Sequence, residues 1–570
     1  MWVLGITKSH NGAVALTNNG KVVVAIQAER ISRVKRQAIE LKNDKKLVSA
    51  CVKYCLNQAG ITHADIQSIG ISTPWKVQHI ENKVLFDYIG GTPNNYKKTY
   101  YIPHHFAHVE YILHYSNLES GIVLIIDGSG SNERDREYCN ITEEVSPKCI
   151  SHAHMTGKET VSAYWFDGRR VLLIYRFSPP VASFEKCNKN SNGLLQSIGH
   201  YWRWASNYCC GSHTEAGKVM GLAALGDPKV YENLNILSIH KDGLIKLNYE
   251  KLYKEFRSPN IFGKDLSENE HYSNIAAMVQ NDTENVLMVI LTQLKEKYPT
   301  DTLYYAGGVA LNVVANEKII RSGLFNNVIL NGSVEDNGTA IGAALAVSKE
   351  LTDKRVTETV TDYYGKTYTN DEILTAIKKF NFKYKFIEEE QLYEKVASLI
   401  YENKVIGWFQ GRSEFGPRAL GNRSILANPN NPKMKHILDL HFKYRDRYRP
   451  YAPVVLEEYA EKYFDINGTS PVMMTGGKVL RKDLPAITHV DGTARIQTLN
   501  KKENESFYKL MQAFNKISGF PIILNTSFNL PGEPIVESPT DALNSFYNGA
   551  LEYLCLGNYL VSRKSRLKNE

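Results

Sequence analysis

Gly121-Ile122-Val123-Leu124-Ile125-Ile126-Asp127-Gly128-Ser129-Gly130-Ser131 is the stretch from which the fold is read. A continuous apolar run of strand length that breaks into an acidic, glycine-punctuated turn describes a buried strand presenting ligands at its end. The theme returns twice downstream. Residues 303–306 run into Gly307-Gly308 and a helix expected from about Ala310. Residues 328–330 run into Glu335-Asp336-Asn337-Gly338 and a small-residue helix over 339–348. The chain also opens on strands, at 3–6, 12–17 and 21–27, with the last two joined by Asn18-Asn19-Gly20. Asn-Gly between two β-rich runs is a strong hairpin signal.

Glycine turns dispersed at widely spaced strand ends suit an α/β nucleotide fold of the actin, hexokinase and Hsp70 kind. A Rossmann domain would carry one Gly-x-Gly-x-x-Gly and an acidic residue about 20 positions on. Neither is present, and no Walker A loop is found. A helix is expected over 45–58, and a second hairpin over 163–177 turning at Asp167-Gly168. Between 350 and 369 the composition turns polar and reads as a linker. A second α/β unit follows, with helices near 371–380 and 389–402 and strands near 404–409 and 521–525. No sequence repeat is detected. The expected domains are therefore 1–355 and 366–570, within the two to four units of roughly 150 residues that 570 residues allow.

Composition excludes several classes. With 43% hydrophobic and 22% charged residues the chain is not wholly disordered. No apolar run reaches the roughly 18 residues of a membrane span, and Met1-Trp2-Val3-Leu4-Gly5 lacks a basic n-region, so a cytoplasmic protein is expected. The eight cysteines, at 51, 55, 139, 149, 187, 209, 210 and 555, form no Cys-x-x-Cys pair, which argues for reduced thiols over structural zinc. Against 60 acidic residues, 68 Lys and Arg leave a formal charge of +8, a weak bias toward anionic partners.

Some residues carry chemistry. In His104-His105-Phe106-Ala107-His108, His104 and His108 share one face if the segment is helical, within reach of one ion. Asp127 and Asp336 end strands, where a nucleotide fold presents ligands toward phosphate and metal. Two imidazoles with one or two carboxylates suit Fe(II), Mn(II) or Zn(II). Gly307, Gly308 and Asn312 form a loop that backbone and phosphate can approach closely, with Gly338 at a second such turn and Lys218 in a third glycine-punctuated stretch. The densest signal is 411–424, where Arg412, Arg418 and Arg423 stand among glycines and hydroxyls. A planar guanidinium matches phosphate bidentately. Lys443, Arg445, Arg447 and Arg449 follow, then Arg495, then Asn525 in Leu524-Asn525-Thr526-Ser527-Phe528-Asn529. A polyanionic small molecule is the expected ligand.

Together these segments resemble the NodU/CmcH carbamoyltransferases, the O-carbamoyltransferases of nodulation-factor and antibiotic biosynthesis. The similarity runs nearly end to end and is most specific at 411–424 and 525–536. It implies an N-terminal actin/Hsp70-like (ASKHA) domain similar to the tRNA threonylcarbamoyl-transferase fold, and a C-terminal YrdC-like domain. It further implies that the C-terminal domain makes carbamoyl-adenylate from carbamoyl phosphate and ATP, with Mg(II) as an ATP companion. The N-terminal domain would pass the carbamoyl group to a hydroxyl at a metal. By the resemblance, His104, His108, Asp127 and Asp336 hold that metal, with Fe(II) expected. His10 and Lys35 fall at the reacting group, and Arg418, Arg449, Arg495 and Asn525 on the carbamoyl phosphate and ATP side. The sequence departs from the family at Ser129-Gly130-Ser131 and Ser212-His213-Thr214-Glu215, both toward the acceptor or nucleotide.

A hydrogenase-maturation carbamoyltransferase would add an acylphosphatase-like start and Cys-x-x-Cys fingers, and the blocks at 411–424 and 525–536 argue against a tRNA threonylcarbamoyl enzyme. A non-catalytic nucleotide- or nucleic-acid-binding module is the reading of another class, resting on +8 and the mixed basic and aromatic run 441–449. The expected acceptor is a small natural product or sugar. A hydroxymethylated base in DNA is the alternative, drawn from the basic balance and Tyr201-Trp202-Arg203-Trp204. No membrane partner is expected, and a homodimer stays open.

Overall fold

The computed structural model describes residues 1–41, 43–73, 98–153, 157–179, 196–240, 243–257 and 266–563. The chain divides into a first unit, Met1–Ala28 with Gln37–Thr359, and a second, Glu29–Arg36 with Val360–Glu570.

Besides the small pair Leu237–Ile239 and Ile245–Leu247, the first unit holds two larger sheets with similar wiring among the described residues. In one, the strands Trp2–Thr7, Ala13–Asn18 and Lys21–Gln27 pair antiparallel, and Ile66–Thr73 and Lys98–Pro103 add in parallel on the other side of Trp2–Thr7. The other starts from Gly121–Ile126, pairs antiparallel with Val161–Phe166 and then Val171–Ser178, and adds Thr302–Ala306 and Asn327–Ile329 in parallel. Strand Glu144–Ala153 extends its far edge. The repeat is one of topology with no trace in the sequence, and it is the actin-like α/β arrangement expected. Asn19 and Gly20 both take positive φ, at 49° and 78°, as the two-residue hairpin turn requires.

Helix Gly338–Thr352 follows the last parallel strand and is buried along most of its length, which its small residues explain. A side-chain carbon at Gly342 would lie 1.8 Å from the Ala107 carbonyl oxygen in helix His104–Leu113, and one at Gly5 would lie 1.9 Å from that of Ala340. Helix against helix, and helix against sheet, close only because both positions lack Cβ. Helix Lys45–Ala59 and the hairpin turning at Gly168 form as expected. The helix after Gly307-Gly308 begins at Val313, behind a 3₁₀ turn, because Asn312 caps it by accepting the Ala315 N–H. The polar stretch after Thr352 is docked. Arg355 donates twice to buried Glu110, at 2.6 and 2.9 Å, and Glu358 meets His114 at 3.0 Å.

The second unit is built on eight strands, in the order Lys383–Phe386, Tyr559–Ser562, Tyr553–Leu556, Ile406–Phe409, Arg423–Ala427, Ile522–Ser527, Ala452–Leu456 and Gln497–Leu499. Both faces are covered, as alternation dictates. Trp408, Leu426, Val454 and Ile523 face helices Glu389–Tyr401 and Glu505–Ser518, while Phe409, Ile425, Val455 and Leu524 face the opposite core with Pro539–Asn548. A smaller sheet, Phe464–Asp465, Gly476–Val479 and Thr493–Arg495, carries Arg495. Among the described residues seven cysteines are free thiols, and Cys187 lies outside them. No described helix is long and apolar enough to cross a membrane.

Candidate functional site

His104 and His108 lie one turn apart on helix His104–Leu113, and both are fully buried. Asp127 ends the strand Gly121–Ile126, and Asp336 precedes helix Gly338–Thr352. One ligand atom from each of the four lies within 4.8 Å of all the others. His104 Nε2 is 3.2 Å from Asp127 Oδ2 and 3.4 Å from Asp336 Oδ1, and His108 Nε2 is 3.5 Å from Asp127 Oδ2. Ser72 Oγ stands 3.4 Å from His104 Nδ1, so the other ring nitrogen is turned to the acids.

The donor set fits a divalent cation. Neither ring nitrogen of His108 makes a hydrogen bond although the side chain is fully buried, a condition that costs on the order of 1–3 kcal/mol per group. Burial alone would pull His104 down, but Asp336 and Asp127 outweigh it and push its pKa up to about 10. Both carboxylates stay well below the usual range: burial and the charge of Asp336 oppose ionisation of Asp127, and the nearby imidazoles of His104 and His108 outweigh them. Two adjacent buried carboxylates and two imidazoles are stabilised together by one cation. His10 Nδ1 stands 3.2 Å from Asp336 Oδ2, with more than half of its side chain exposed.

The helix bearing the histidines is anchored from outside. Its first N–H groups lack helical partners. Ser131 Oγ accepts the His104 N–H at 3.0 Å and Glu159 Oε1 that of His105 at 3.2 Å. Glu159 is itself gripped by Arg136, and its pKa is pulled down to about 2: burial opposes, and His105, Arg136 and Arg176 outweigh it. Ser131 is thus a positioning residue, which its departure from the family pattern concealed.

The five residues expected at the nucleotide lie in different settings. Gly308 lies beside the cluster, since a carbon added there would be 3.0 Å from Asp127 Oδ1. Gly307 and Gly338 sit in the turns at Ile126 and Ser333, where added carbons would meet backbone oxygens at 2.2 and 2.0 Å. Asn312 is spent structurally: besides capping its helix it exchanges hydrogen bonds with Gln280 at 3.0 and 3.2 Å. Lys218 is partly exposed, 3.6 Å from Glu215.

In the second unit the arginines divide by role. Arg423 is fully buried. It donates to the carbonyls of Gln410, Gly411, Asn422, Lys366 and Glu537 and stacks 3.6 Å from the Phe409 ring centroid. Arg412 donates to the carbonyls of Gly365 and Tyr364. These guanidinium groups hold the 411–424 loop together through backbone carbonyls. Glu414 completes the scaffold, one oxygen accepting the N–H groups of Leu420, Asn422 and Arg423 at 2.6 to 3.2 Å.

Arg418, Arg445, Arg449 and Arg495 form the other group. Burial first, and then Arg418, Arg445 and Arg449, pull the pKa of Arg495 well below its usual value. Arg445 is pulled down to about 10 by burial and Arg449, despite Tyr451 and Asp439. Arginine stays protonated in proteins, so such stress is relieved by an anion. Arg449 and Arg495 make no side-chain hydrogen bond or ion pair among the described residues. Asn525 is buried, gives its amide hydrogens to Ala419 O and Gln497 Oε1, and keeps Oδ1 unpartnered. Glu29–Arg36 belongs to this unit: Arg30 donates to Gly416 O, and Arg33 to Pro534 O and Ile535 O. Lys35 rides on that segment, and its charge acts on Lys443, whereas His10 stays in the first unit. The aromatic run 201–204 is interior packing: Tyr201, Trp202 and Trp204 are buried, Trp204 stacking between Tyr201 and Tyr208 at 6.0 and 5.4 Å.

Comparison with known proteins agrees over most of the chain. A family model described as "Carbamoyltransferase N-terminus" matches residues 2–345, and "Carbamoyltransferase C-terminus" matches 397–563. An uncharacterized Synechocystis protein, sll1178, is 30% identical over 634 residues, covering 100% of this chain and 98% of its own. The nodulation protein NolNO of Sinorhizobium fredii is 29% identical, covering 98% and 80%. Among solved structures, full-length HypF in its phosphate- and nucleotide-bound form aligns over 62% of this chain and 56% of its own, at 13% identity and a TM-score of 0.39.

Proposed function

The chain belongs to the NodU/CmcH carbamoyltransferase family and is a carbamoyltransferase, and from that premise we propose that it works in two steps with ATP. At the arginine group of the second unit, carbamoyl phosphate, ATP and water give carbamoyl-adenylate, phosphate and pyrophosphate. At the His/Asp centre of the first unit, the carbamoyl group passes to a hydroxyl of a small natural product or sugar, releasing AMP. The observation that carries this reading is the sorting of charge. One unit gathers Asp127 and Asp336 around imidazoles, and the other gathers Arg418, Arg445, Arg449 and Arg495.

Each group has a definite task. Arg449 and Arg495, with Arg418 and Arg445 beside them, neutralise the phosphates and stabilise negative charge as phosphate and pyrophosphate leave. Asn525 Oδ1 is an acceptor facing no protein donor, suited to a carbamoyl N–H. His104, His108, Asp127 and Asp336 would hold a divalent ion such as Fe(II), which when bound supplies Lewis-acid polarisation of a carbonyl. His10, exposed on one side and bonded to Asp336 on the other, takes the proton of the attacking hydroxyl.

The test is incubation with carbamoyl phosphate, ATP and Fe(II) against a panel of hydroxylated acceptors. Pyrophosphate release that depends on carbamoyl phosphate is expected, with an acceptor mass shifted by replacement of H by CONH₂. Absence of carbamoyl-phosphate-dependent pyrophosphate release overturns the two-step reading.

A further inference from the structure

The repeated topology of the first unit shows a residue that motif reading passed over. In each sheet the segment leaving the first strand turns back and pairs antiparallel: Trp2–Thr7 into Ala13–Asn18, and Gly121–Ile126 into Val161–Phe166. In the first repeat the connection carries His10, which reaches Asp336. In the second, the returning backbone is laid along the Asp127–Ser131 turn. Asp127 N–H donates to Thr160 O at 3.1 Å, Gly130 N–H to Glu159 O at 2.7 Å, and Glu159 N–H to Ser131 O at 3.1 Å, while Lys158 bridges Asn132. Glu159 turns inward and is fully buried, so extended backbone sends the Lys158 side chain the other way.

The charges acting on that ammonium are Asp135 and Asp336, and it acts in turn on His200, which also feels Arg203 and Asp127. Lys158 is half-buried and makes no side-chain hydrogen bond or ion pair among the described residues. Lys158 thus stands where the strand Val161–Phe166 returns beside the Asp127–Ser131 turn, and the charge of Asp336, which His10 meets from the first sheet, acts on it after that of Asp135.

We infer that Lys158 is a catalytic residue of the transfer step, binding the phosphate of the AMP leaving group. The inference rests on reading the first unit as the transfer site. In that step the acceptor oxygen bonds to the carbamoyl carbon and the bond from that carbon to the phosphate oxygen breaks. The hydroxyl proton goes to His10, and AMP leaves with one more negative charge than its phosphate carried in the adenylate. An ammonium with no side-chain partner among the described residues, on backbone laid beside the Asp127 turn, offers the charge that forms there. Lysine suits this task because its stem lets a point charge follow a departing phosphate.

The test is AMP binding by titration calorimetry to the full chain carrying Arg495→Ala, which disables the anion group of the second unit. This variant is expected to bind AMP. Adding Lys158→Met weakens that binding by about tenfold or more, and Lys158→Arg restores most of it. Divalent-metal affinity in Lys158→Met stays equal or rises, because a cation near the ligands is removed; a merely structural role would lower it along with thermal stability. Arg495→Ala that binds no AMP, or Lys158→Met that binds AMP as its parent does, overturns the inference. Failure of the two-step reading is seen separately, as wild-type chain without carbamoyl-phosphate-dependent pyrophosphate release.

Discussion

The His/Asp centre and the arginine group solve opposite electrostatic problems by the same means. In the first unit, four ligand residues come from one helix, one strand end and the turn before a second helix, and among the described residues the carboxylates pair with imidazoles and not with a guanidinium. In the second, Arg449 and Arg495 have no carboxylate partner among the described residues. Elsewhere the chain neutralises its buried charges internally. Glu110 lies on Arg355, Glu159 on Arg136, and Arg423 on five backbone carbonyls. The contrast separates charge that serves the fold, which is paired, from charge that awaits a ligand, which is left with like neighbours. Like-charge crowding costs stability, so it persists where a ligand of the other sign offsets it.

The largest effect that can break this comparison is on the acidic side. Asp336→Asn removes one of two carboxylates from the centre and is expected to lower carbamoyl transfer roughly a thousandfold, about 4 kcal/mol in the barrier. Carbamoyl-phosphate-dependent pyrophosphate release should stay near wild type, because it is assigned to the other unit. Parallel loss of both activities would show that the two charge groups do not act as separate sites. Metal content, measured on the purified variant, should fall with transfer.

Next in size is the arginine that belongs to the fold. Arg423→Met strands the carbonyls of Gln410, Gly411, Asn422, Lys366 and Glu537 and is expected to destabilise the second unit by about 3–5 kcal/mol, read by urea unfolding. Arg495→Ala should behave in the opposite manner. Pyrophosphate release drops by roughly 10- to 100-fold, since a charge-assisted contact to phosphate is worth about 1.5–3 kcal/mol. The melting temperature stays level or rises, because a like charge leaves the cluster. Equal destabilisation by the two substitutions would erase the distinction between paired and ligand-awaiting arginines.

Sequence carried most of the first unit's site because its signals are local. Histidines one helical turn apart, and acids at the ends of apolar runs, are chemistry visible without a fold. The helix 45–58 and the strand at 121–126 were legible for the same reason, in periodicity and unbroken apolar length. What escaped was set by long-range pairing. Arg412 and Arg423 look identical in sequence to Arg418, and only the carbonyls folded around them tell scaffold from ligand group. The Glu29–Arg36 segment lies within the expected first domain, 1–355, yet its arginines bond to carbonyls at 416, 534 and 535. Lys158 carries no motif, and only the pairing of its backbone beside the Asp127–Ser131 turn singles it out. Helix Glu270–Lys297 could have been found from apolar residues at 275, 279, 286, 287, 290, 291 and 294, all on its buried side.

The smallest effect concerns carboxyls, and it sets the two units against each other in pH. Burial opposes ionisation of Glu110 in the first unit, but Arg355 and Lys349 outweigh it and hold its pKa below 4.5. Its stabilising contribution is therefore present above that value and lost as the pH falls through the lower folded one. Glu503 in the second unit is the reverse case. Burial, aided by Glu457, pushes it up to about 7 from 4.5. The folded form holds this proton more tightly than the unfolded chain, so the associated stability is whole below pH 4.5, declines as the pH rises to about 7, and stays lost above. Glu503→Gln should flatten that decline and leave the acid limb due to Glu110 in place. Urea midpoints taken every half unit from about pH 2 to about 8 decide the matter. The same slope in wild type and Glu503→Gln would remove Glu503 from the comparison, and with it the contrast between a carboxyl held by a guanidinium and one crowded by another acid.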